Sequence, residues 1–572
     1  MSNYFERMQL RLDAYRDVYR YRPRIAIAKM LVWNAFYFLK IPKDSESENP
    51  IKDQSPKRLI SGRRFSSEKR QGHEMLSIAF AEGGGVGDDI LDAQLLKEIK
   101  KLVPGTVMID FYCRAHKLFA SYPFIDHTYD FSSNIDKEAY DLILYGHRLI
   151  LINHINEEKV KRFSRTLYDY CIDCRKMQEQ DFANQMNDNL ISQYALMKGK
   201  KRIEQCNIND LLPLNRNTPK YMSLDSNEFG ILEQYGLLHE TYIVVNRAVD
   251  GKYNSNHPKL WPLDSYNRLV RRLKQEYPDI KIVLVGDSEK FDPISLVDVN
   301  LIGKTNLEQC KVLLKYAALL IAGEGGLVHM KNFLNGTSVV VFGPTVPEIF
   351  GYDENINLRT NACERTCEWV SDKWAEKCML GYEKPKCIHS VSVESVFDAV
   401  CTKLRERSSW KYEITRYLKT VKDLMELIYT DYLPTCGKAA WKICLLGNIN
   451  SSQELQLAER SSGLDIFIEQ DVPKERCYGI TEEYGNAYNL PARDEKYGLV
   501  LSFHKGKDAN LYFGLKELLR ITADGGYMIT AIHKANISNA VDAFSELGVQ
   551  VDISRLQLNQ PAVLVVRKEK AK

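Results

Sequence analysis

Short apolar segments that end in glycine recur along the chain, and residues 319–352 contain the clearest series. The apolar run Leu319–Ala322 predicts a buried strand, and the glycines of Gly323–Gly326 end it with a turn. Leu327–Leu334 has apolar residues at helical spacing and stops at an Asn-Gly pair, after which Ser338–Phe342 predicts a second strand. The pattern therefore predicts two parallel strands joined by a helix.

The predicted helix of this unit begins at the glycine-rich turn, near Gly326. Free N–H groups at a helix N-terminus carry partial positive charge, and glycine leaves them open to a ligand. In a strand–helix–strand unit this end lies at the crevice beyond the strands, where a diphosphate could bind. On these residues alone, an ordinary turn whose glycines serve only the backbone explains the pattern equally well.

A second glycine-rich turn follows the predicted strand Met75–Ala81 and leads into a helix expected from about Leu91. Asp88 lies at this turn, on the crevice side of the predicted sheet. A carboxylate there could act as a general base and take a proton from an acceptor hydroxyl. Helix capping is the alternative role for Asp88. Glu82 and Asp89 are the neighbouring candidates for the base.

Two further predicted strands end in polar residues. Tyr242–Val245 precedes Arg247, and Ile282–Val285 precedes Asp287. Asp287 could approach a nucleotide ribose or cap a helix. Lys259 lies on the loop between these strands, just before a Leu-Trp-Pro segment. A lysine beside the crevice could neutralise a diphosphate leaving group, whereas an exposed surface lysine is the alternative.

These patterns divide the chain into six segments. They are a helical N-terminal extension (residues 1–42), a polar linker (43–73), a first Rossmann-like domain (74–236), a second Rossmann-like domain (237–408), a helical connection (409–438) and a third small α/β domain (439–572). The extension is basic and carries an aromatic cluster near its end. It could pack on the protein body, pack on a second subunit, or lie on an anionic membrane surface.

Composition narrows the class of protein. The 572 residues are 44% hydrophobic and 27% charged, which is ordinary for a globular protein, and the net charge of +3 does not favour nucleic acid as a partner. The first residues contain many charges and do not resemble a signal peptide. The longest apolar stretch, Met30–Leu39, is too short to span a bilayer. We expect a cytoplasmic protein, soluble or peripheral on the inner face of a membrane.

Four of the thirteen cysteines lie close together in the sequence: Cys363, Cys367, Cys378 and Cys387. Four thiolates can close a tetrahedral structural site for zinc or iron, although the spacing differs from the usual CxxC pairs. Free thiols and disulfides are the alternatives. Cys171 and Cys174 form a CxxC on a predicted helix and are expected to be free thiols.

Residues 323–352 read GEGGLVHMKNFLNGTSVVVFGPTVPEIFGY, which resembles the donor-site segment of glycosyltransferase family 9, the heptosyltransferase-like enzymes. Further motifs follow the family's order between about Leu76 and Val400. Asp88 matches the family's catalytic aspartate, and Lys259 matches a lysine that contacts the donor phosphates. The donor-binding residues implied in this chain are Arg247, Lys259, Asp287, Glu324, Gly325, Gly326, Leu327 and His329. Where the family usually has Asp followed by Thr or Ser, this chain has Glu324 and Gly325.

The resemblance implies an α/β protein in the GT-B arrangement, with two Rossmann-like domains facing each other across a cleft. It implies a metal-independent, inverting glycosyltransferase that moves a heptose or hexose from a nucleotide-diphosphate sugar, such as an ADP-heptose-like donor, to an acceptor hydroxyl. The acceptor could be a glycan, a lipid-linked glycan or a protein. A non-catalytic scaffold that binds a sugar nucleotide or glycan is the alternative.

Residues 439–572 resemble the latter half of class I methyltransferases. The resemblance rests on Tyr484–Pro491, on Tyr497–Ser502 and on the segment Leu519–Ile532. Those enzymes place a Gly-x-Gly loop against their cofactor, because only glycine lets the backbone approach so closely. Here the corresponding turn, Gly447–Asn450, has one glycine. We therefore expect a degenerate domain that serves packing or partner recognition, with methylation of a glycan as the alternative.

Overall fold

The computed structural model describes residues 75–570 with several gaps. The gaps are residues 104–106, 147, 180–190, 193–194, 197, 239, 248–256, 288–292, 364–366, 369–373, 377, 408–409, 419–427, 429–441, 447–456, 459–460, 469–479, 485–487, 503–510, 533–535 and 551–561. The predicted extension (1–42), the linker (43–73), most of the connection (409–438) and the turn at Gly447-Asn448 lie outside the described residues.

The first domain is built on a five-stranded sheet in the order β3-β2-β1-β4-β5. Its strands are β1 (Leu76–Glu82), β2 (Val107–Cys113), β3 (His127–Asp130), β4 (Leu142–Tyr145) and β5 (Leu151–Ile155). All neighbouring strands are parallel except β4 and β5. The carboxyl ends of β1 and β4 therefore lie side by side at one edge of the sheet.

Three described helices accompany this sheet: α1 (Val86–Leu102), α2 (Glu157–Phe163) and α3 (Arg165–Glu179). Helix α1 begins five residues before the predicted start at Leu91, because Gly85 already adopts the extended conformation of an N-cap. Asp88 consequently lies in the first turn of the helix rather than in the loop before it.

The second domain has a six-stranded, fully parallel sheet in the order β11-β10-β9-β6-β7-β8. Its strands are β6 (Tyr242–Asn246), β7 (Lys281–Val285), β8 (Val299–Asn300), β9 (Leu319–Gly323), β10 (Ser338–Val341) and β11 (Ile356–Leu358). The long apolar runs predicted as strands are buried on both faces, as the strands of a parallel sheet are.

The described helices of this domain are α4 (Gly230–Gln234), α5 (Leu263–Glu276), α6 (Leu307–Tyr316), α7 (Gly326–Phe333), α8 (Pro347–Phe350), α9 (Lys386–His389) and α10 (Val393–Arg407). Helix α7 connects β9 to β10 and confirms the predicted strand–helix–strand unit. Its Asn335 has a positive φ of 57° just after the helix, which is the conformation expected of an Asn-Gly stop.

The third domain has eight strands in the order β15-β14-β13-β16-β17-β19-β12-β18. They are β12 (Trp410–Leu418), β13 (Ile443–Leu446), β14 (Leu464–Ile468), β15 (Ile480–Tyr484), β16 (Tyr497–Ser502), β17 (Thr522–Ile532), β18 (Val549–Gln550) and β19 (Ala562–Lys570). Two helices are described, α11 (Leu511–Ile521) and α12 (Ile537–Glu546). Only β19 runs antiparallel to its neighbours β17 and β12. This mostly parallel sheet with its helices confirms the predicted third α/β domain.

One predicted helix is wrong at its start. The expected helical connection (409–438) begins in residues that form β12, which pairs with β19. The first five residues of this strand, WKYEI, alternate aromatic or branched residues with charged ones, a period of two that favours a strand.

None of the helices that the structure describes is long and apolar enough to cross a membrane.

Candidate functional site

The N-termini of two helices, one from each Rossmann-like domain, meet at the centre of the molecule. A Cβ atom on Gly87 of α1 would lie 2.8 Å from His329 Cδ2 and 3.3 Å from Gly326 Cα. A Cβ atom on Gly326 of α7 would lie 3.2 Å from the Gly87 nitrogen. Glycine is therefore required for this approach. The two helix ends place their partial positive charges next to each other, at the carboxyl edges of both sheets.

Asp88 lies in the first turn of α1 and pairs with Arg202, whose Nη2 is 2.7 Å from Asp88 Oδ1. The other carboxylate oxygen accepts a hydrogen bond from the Gly85 N–H at 3.2 Å. Burial would raise the pKa of Asp88, but the positive charges of Arg202 and Arg148 outweigh it and lower the pKa to about 2. Asp88 is thus both a cap and an ionised carboxylate. Its side chain is 41% exposed, so a substrate can reach it.

Three more carboxylates lie beside Asp88, and all are buried. Glu82 hydrogen-bonds to Asp92, and burial raises the pKa of Glu82 to about 7 despite that bond. Burial also raises the pKa of Asp92 and of Asp89. The Gly84 N–H donates to Glu82 Oε1 at 2.5 Å, and the Ala115 N–H donates to Asp89 Oδ2 at 3.0 Å. Asp89 therefore fastens the loop after β2 and does not face a substrate.

Lys259 lies in the second domain, beside the turn that leads into α7. Its Nζ is 2.6 Å from Glu324 Oε2 and 3.6 Å from Glu368 Oε1. The amine also lies 5.4 Å from the centre of the Trp374 ring. Burial would lower the pKa of Lys259, but the two carboxylates outweigh it and raise the pKa. Lys259 is therefore a half-buried ammonium that stays charged at neutral pH.

Glu324 shares the buried environment of Lys259. Burial opposes its ionisation, yet the ammonium lowers the pKa of this carboxyl. The carboxylate of Glu324 thus neutralises the charge of the Lys259 ammonium.

His329 lies on α7, one turn after Gly326. Its Nδ1 is 2.6 Å from the Tyr352 hydroxyl oxygen, and burial lowers the pKa of His329 to about 4. The imidazole is therefore neutral at pH 7, and one hydrogen bond joins its Nδ1 to the Tyr352 hydroxyl.

The remaining predicted donor residues lie along the same edge of the second sheet. Gly325 is the N-cap of α7, and a Cβ atom there would meet nothing within 4 Å, so open space faces this position. Leu327 is half-buried in the first turn of the helix. Arg247 follows β6, which pairs with β9, whereas Asp287 follows β7, one strand farther from β9. The structure thus brings Lys259, Glu324 and the α7 turn together, with Arg247 and Asp287 on neighbouring strands.

The sequence of the second domain is also similar to a known protein family. Residues 217–381 match the family model for glycosyltransferase family 9 (heptosyltransferase). This segment of the chain is therefore similar to glycosyltransferase family 9. The matched residues include Lys259, Glu324 and His329, whereas Asp88 precedes them. A comparison with curated protein sequences finds no match.

Solved structures with similar chains include two glycosyltransferases. The ADP-heptose lipopolysaccharide heptosyltransferase II of E. coli is 14% identical, covering 58% of this chain and 99% of its own, with a TM-score of 0.37. The iron-containing dodecameric glycosyltransferase TibC of enterotoxigenic E. coli H10407 is 12% identical, covering 58% and 76%, with a TM-score of 0.36. A putative S-adenosyl-L-methionine-dependent methyltransferase of Methanococcus maripaludis is 12% identical, covering 26% and 92%, with a TM-score of 0.20.

Three residues of the candidate site were missed by the sequence analysis. Arg202 ends a short run of basic residues, Lys200–Arg202, yet it is buried against Asp88. Arg148 and Glu368 form an ion pair, with Arg148 Nη2 3.3 Å from Glu368 Oε1. No local pattern marks either residue, because each reaches the cleft from a loop far from the motifs in sequence.

Of the four cysteines of the predicted metal site, Cys367 and Cys387 are buried, whereas Cys363 and Cys378 are partly exposed. Burial, together with the nearby thiols of Cys363 and Cys378, raises the pKa of the Cys387 thiol to about 12. Within the described residues, however, no group of three or more His, Cys, Asp or Glu side chains is arranged to hold a metal ion. The thiols as placed do not fit a metal, and the structural zinc or iron stays a prediction. Cys171 and Cys174, on α3, are free and buried as expected.

Proposed function

We propose that this protein is an inverting glycosyltransferase that moves a heptose or hexose from a nucleotide-diphosphate sugar to an acceptor hydroxyl. The observation that carries the proposal is that Asp88 lies in the first turn of α1 and Lys259 pairs with Glu324, two residues before α7, while the starts of the two helices touch at Gly87 and Gly326. A proton acceptor and a phosphate-binding cation thus belong to the two helix N-termini that meet. Direct displacement at a sugar carbon needs these two groups on opposite sides of the reacting bond.

In the proposed reaction, the acceptor oxygen attacks the anomeric carbon while its proton passes to the Asp88 carboxylate. The bond between the anomeric carbon and the donor phosphate breaks, and the nucleoside diphosphate leaves with the electron pair. Asp88 can accept this proton because it is ionised at neutral pH and its side chain is 41% exposed. Arg202 also fixes the direction of the carboxylate.

The departing diphosphate gains negative charge, which Lys259 and the N–H groups at the start of α7 would stabilise. The open space before Gly325 leaves these N–H groups accessible to phosphate oxygens. His329 would stay neutral and act only as a hydrogen-bond partner. An ADP-heptose-like donor is our first candidate, because the matched family model is that of heptosyltransferases. A glycan, lipid-linked glycan or protein hydroxyl would be the acceptor.

The test is a screen of nucleotide sugars against the wild type and Asp88→Asn, with thermal shift and donor turnover measured for each. The correct donor should stabilise both proteins, because Asp88 is not needed to hold the diphosphate. Turnover by Asp88→Asn should fall by about 10²–10⁴-fold, the usual contribution of a general base. Equal turnover by both proteins would refute Asp88 as the base. The absence of any stabilising donor would favour the scaffold alternative.

A further inference from the structure

Arg148 reaches from the first domain into the donor site of the second. It follows β4, whose carboxyl end lies beside that of β1, the strand that leads to Asp88. Its guanidinium is buried, and Nη1 donates to Ser192 Oγ at 2.7 Å. The guanidinium carbon also lies 5.3 Å from the centre of the Phe350 ring. These contacts hold the guanidinium in one orientation.

One carboxylate oxygen joins this arginine to the predicted phosphate-binding lysine. Glu368 Oε1 lies 3.3 Å from Arg148 Nη2 and 3.6 Å from Lys259 Nζ. Lys259 is held on another side by Glu324, 2.6 Å away. Two cations, one from each domain, are therefore balanced by two carboxylates in a buried site.

We propose that Arg148 binds the diphosphate of the donor together with Lys259, and that Glu368 balances both cations until the diphosphate arrives. This inference rests on the glycosyltransferase function proposed above. A nucleoside diphosphate has two phosphate groups, and two cations near one oxygen can each take one of them. Arginine is well suited to this task, because its planar fork of N–H donors matches two phosphate oxygens.

The location of Arg148 also fits the chemistry. Its charge, together with that of Arg202, lowers the pKa of Asp88, so it lies within electrostatic reach of the proposed base. Its charge also acts on Lys259. A cation within reach of both groups can stabilise the charge that the leaving group gains. We therefore expect Arg148 to contribute to donor binding and also to turnover.

Inorganic pyrophosphate is the probe, because it contains the diphosphate and needs no base or sugar recognition. Titration calorimetry should give a dissociation constant for the wild type, and Lys259→Met should weaken it strongly. Arg148→Met should weaken pyrophosphate binding at least tenfold, whereas Arg148→Lys, which keeps the charge but loses the fork, should fall in between. Arg165→Met is the control, since Arg165 is an exposed arginine of the same domain, paired with Asp169.

Glu368→Gln separates a ligand-binding role from a structural ion pair. If Glu368 competes with the diphosphate for the two cations, removing its charge should tighten pyrophosphate binding several-fold. If the Arg148–Glu368 pair only fastens the domains together, Glu368→Gln should bind pyrophosphate no more tightly than the wild type does.

The outcomes distinguish this inference from the proposed function. Wild-type affinity in Arg148→Met, with binding lost in Lys259→Met, would overturn the role of Arg148 and leave the glycosyltransferase proposal intact. Should Arg148→Met fail to fold, wild-type affinity in Arg148→Lys with no gain in Glu368→Gln would overturn it equally. If the wild type binds neither pyrophosphate nor any nucleotide sugar, the proposed diphosphate site is wrong, and the role of Arg148 is wrong with it.

Discussion

Two carboxyl groups only a few residues apart at the end of β1, those of Glu82 and Asp88, have very different pKa values. Asp88 faces Arg202, which outweighs burial and lowers its pKa to about 2. Glu82 is buried beside Asp92 and Asp88, and its pKa rises to about 7. Environment alone thus gives one carboxylate that is ionised at neutral pH and one that is about half protonated. The ionised one is accessible, as a base must be, and the protonated one is not.

Glu82 should make the stability of the protein depend on pH. Between about pH 4.5 and 7 the folded protein keeps a proton on Glu82 that the unfolded chain has released, so the free energy of unfolding falls as pH rises through this window. The Glu82 contribution is at most about 3 kcal/mol, at about 1.4 kcal/mol for each pKa unit. Glu82→Gln cannot titrate, so its urea unfolding curves at pH 5 and pH 7.5 should lie closer together than those of the wild type.

Glu138→Gln is the control for this measurement, because Glu138 is exposed in the same domain. Its unfolding free energy should follow that of the wild type at both pH values. If Glu82→Gln also followed the wild type at both, the raised pKa of Glu82 would be wrong.

The sequence revealed the residues of this site that belong to local motifs, and it missed those that arrive from elsewhere. Asp88 and Lys259 follow from a glycine-rich turn and a family motif. Arg202 is the third of three consecutive basic residues, and nothing in the sequence of that run shows that its side chain is buried. Asp92 could have been found, since it lies four residues after Asp88 and therefore on the same side of helix α1.

At the scale of elements, the site is formed by the meeting of α1 and α7. Each helix starts at a glycine-rich turn after a strand, which is how a parallel sheet delivers a helix N-terminus to its carboxyl edge. Gly87 and Gly326 let the two ends come into direct contact. The consequence is one shared region of positive potential rather than two separate ones.

Gly87→Ala should separate these helices. The added Cβ would lie 2.8 Å from His329 Cδ2, a distance that requires the imidazole or the helix to move. We expect the free energy of unfolding to fall by about 1–3 kcal/mol, the usual cost of overpacking, and donor turnover to fall at least tenfold. Urea unfolding and a turnover assay measure the two effects.

Gly85→Ala is the matched control, two residues earlier in the same turn. Its Cβ would meet nothing within 4 Å, and its φ of −91° is open to alanine. Alanine is a poorer N-cap than glycine, so this variant should lose at most about 1 kcal/mol. Comparable losses in both variants would mean that the contact with α7 is not what requires glycine at position 87.

Strands and helices with a clear period were predictable, and their ends were less so. The strand–helix–strand unit around α7 matched its pattern closely. The start of α1 was placed at Leu91 instead of Val86, because the glycines before it resemble a loop, yet Gly85 caps the helix. The segment Trp410–Leu418 lies in the predicted helical connection, yet it forms β12. Its pairing with β19, about 150 residues later, leaves no local signal.

At the scale of the whole molecule, the third domain contacts both Rossmann-like domains. Asn489 is fully buried and donates hydrogen bonds to the Met222 carbonyl oxygen at 2.7 Å and to the Phe333 carbonyl oxygen at 3.4 Å. Its own side-chain oxygen accepts from Lys315 Nζ at 2.8 Å. Met222 belongs to the first domain and Phe333 to the second. These contacts support our proposal that the methyltransferase-like domain serves packing.

Glu517→Gln tests the strength of this attachment. Glu517 Oε2 lies 2.8 Å from Lys315 Nζ, and both side chains are almost fully buried. Removing the negative charge leaves the ammonium buried without its counterion, so the free energy of unfolding should fall by about 3–5 kcal/mol. Urea unfolding checks this, with Asp494→Asn as control, because Asp494 is half-exposed and its pair with Arg520 should contribute less than about 1 kcal/mol. A loss below 1 kcal/mol in Glu517→Gln would contradict the prediction.

The contact between Gly87 and Gly326 has a consequence for how the sequence can change over evolution. A larger residue at either position displaces a helix of the other domain, so the two glycine-rich turns cannot vary independently. Among related chains, a side chain at position 87 should be accompanied by a residue smaller than histidine at position 329. Two segments separated by about 240 residues should therefore co-vary, although they belong to different domains.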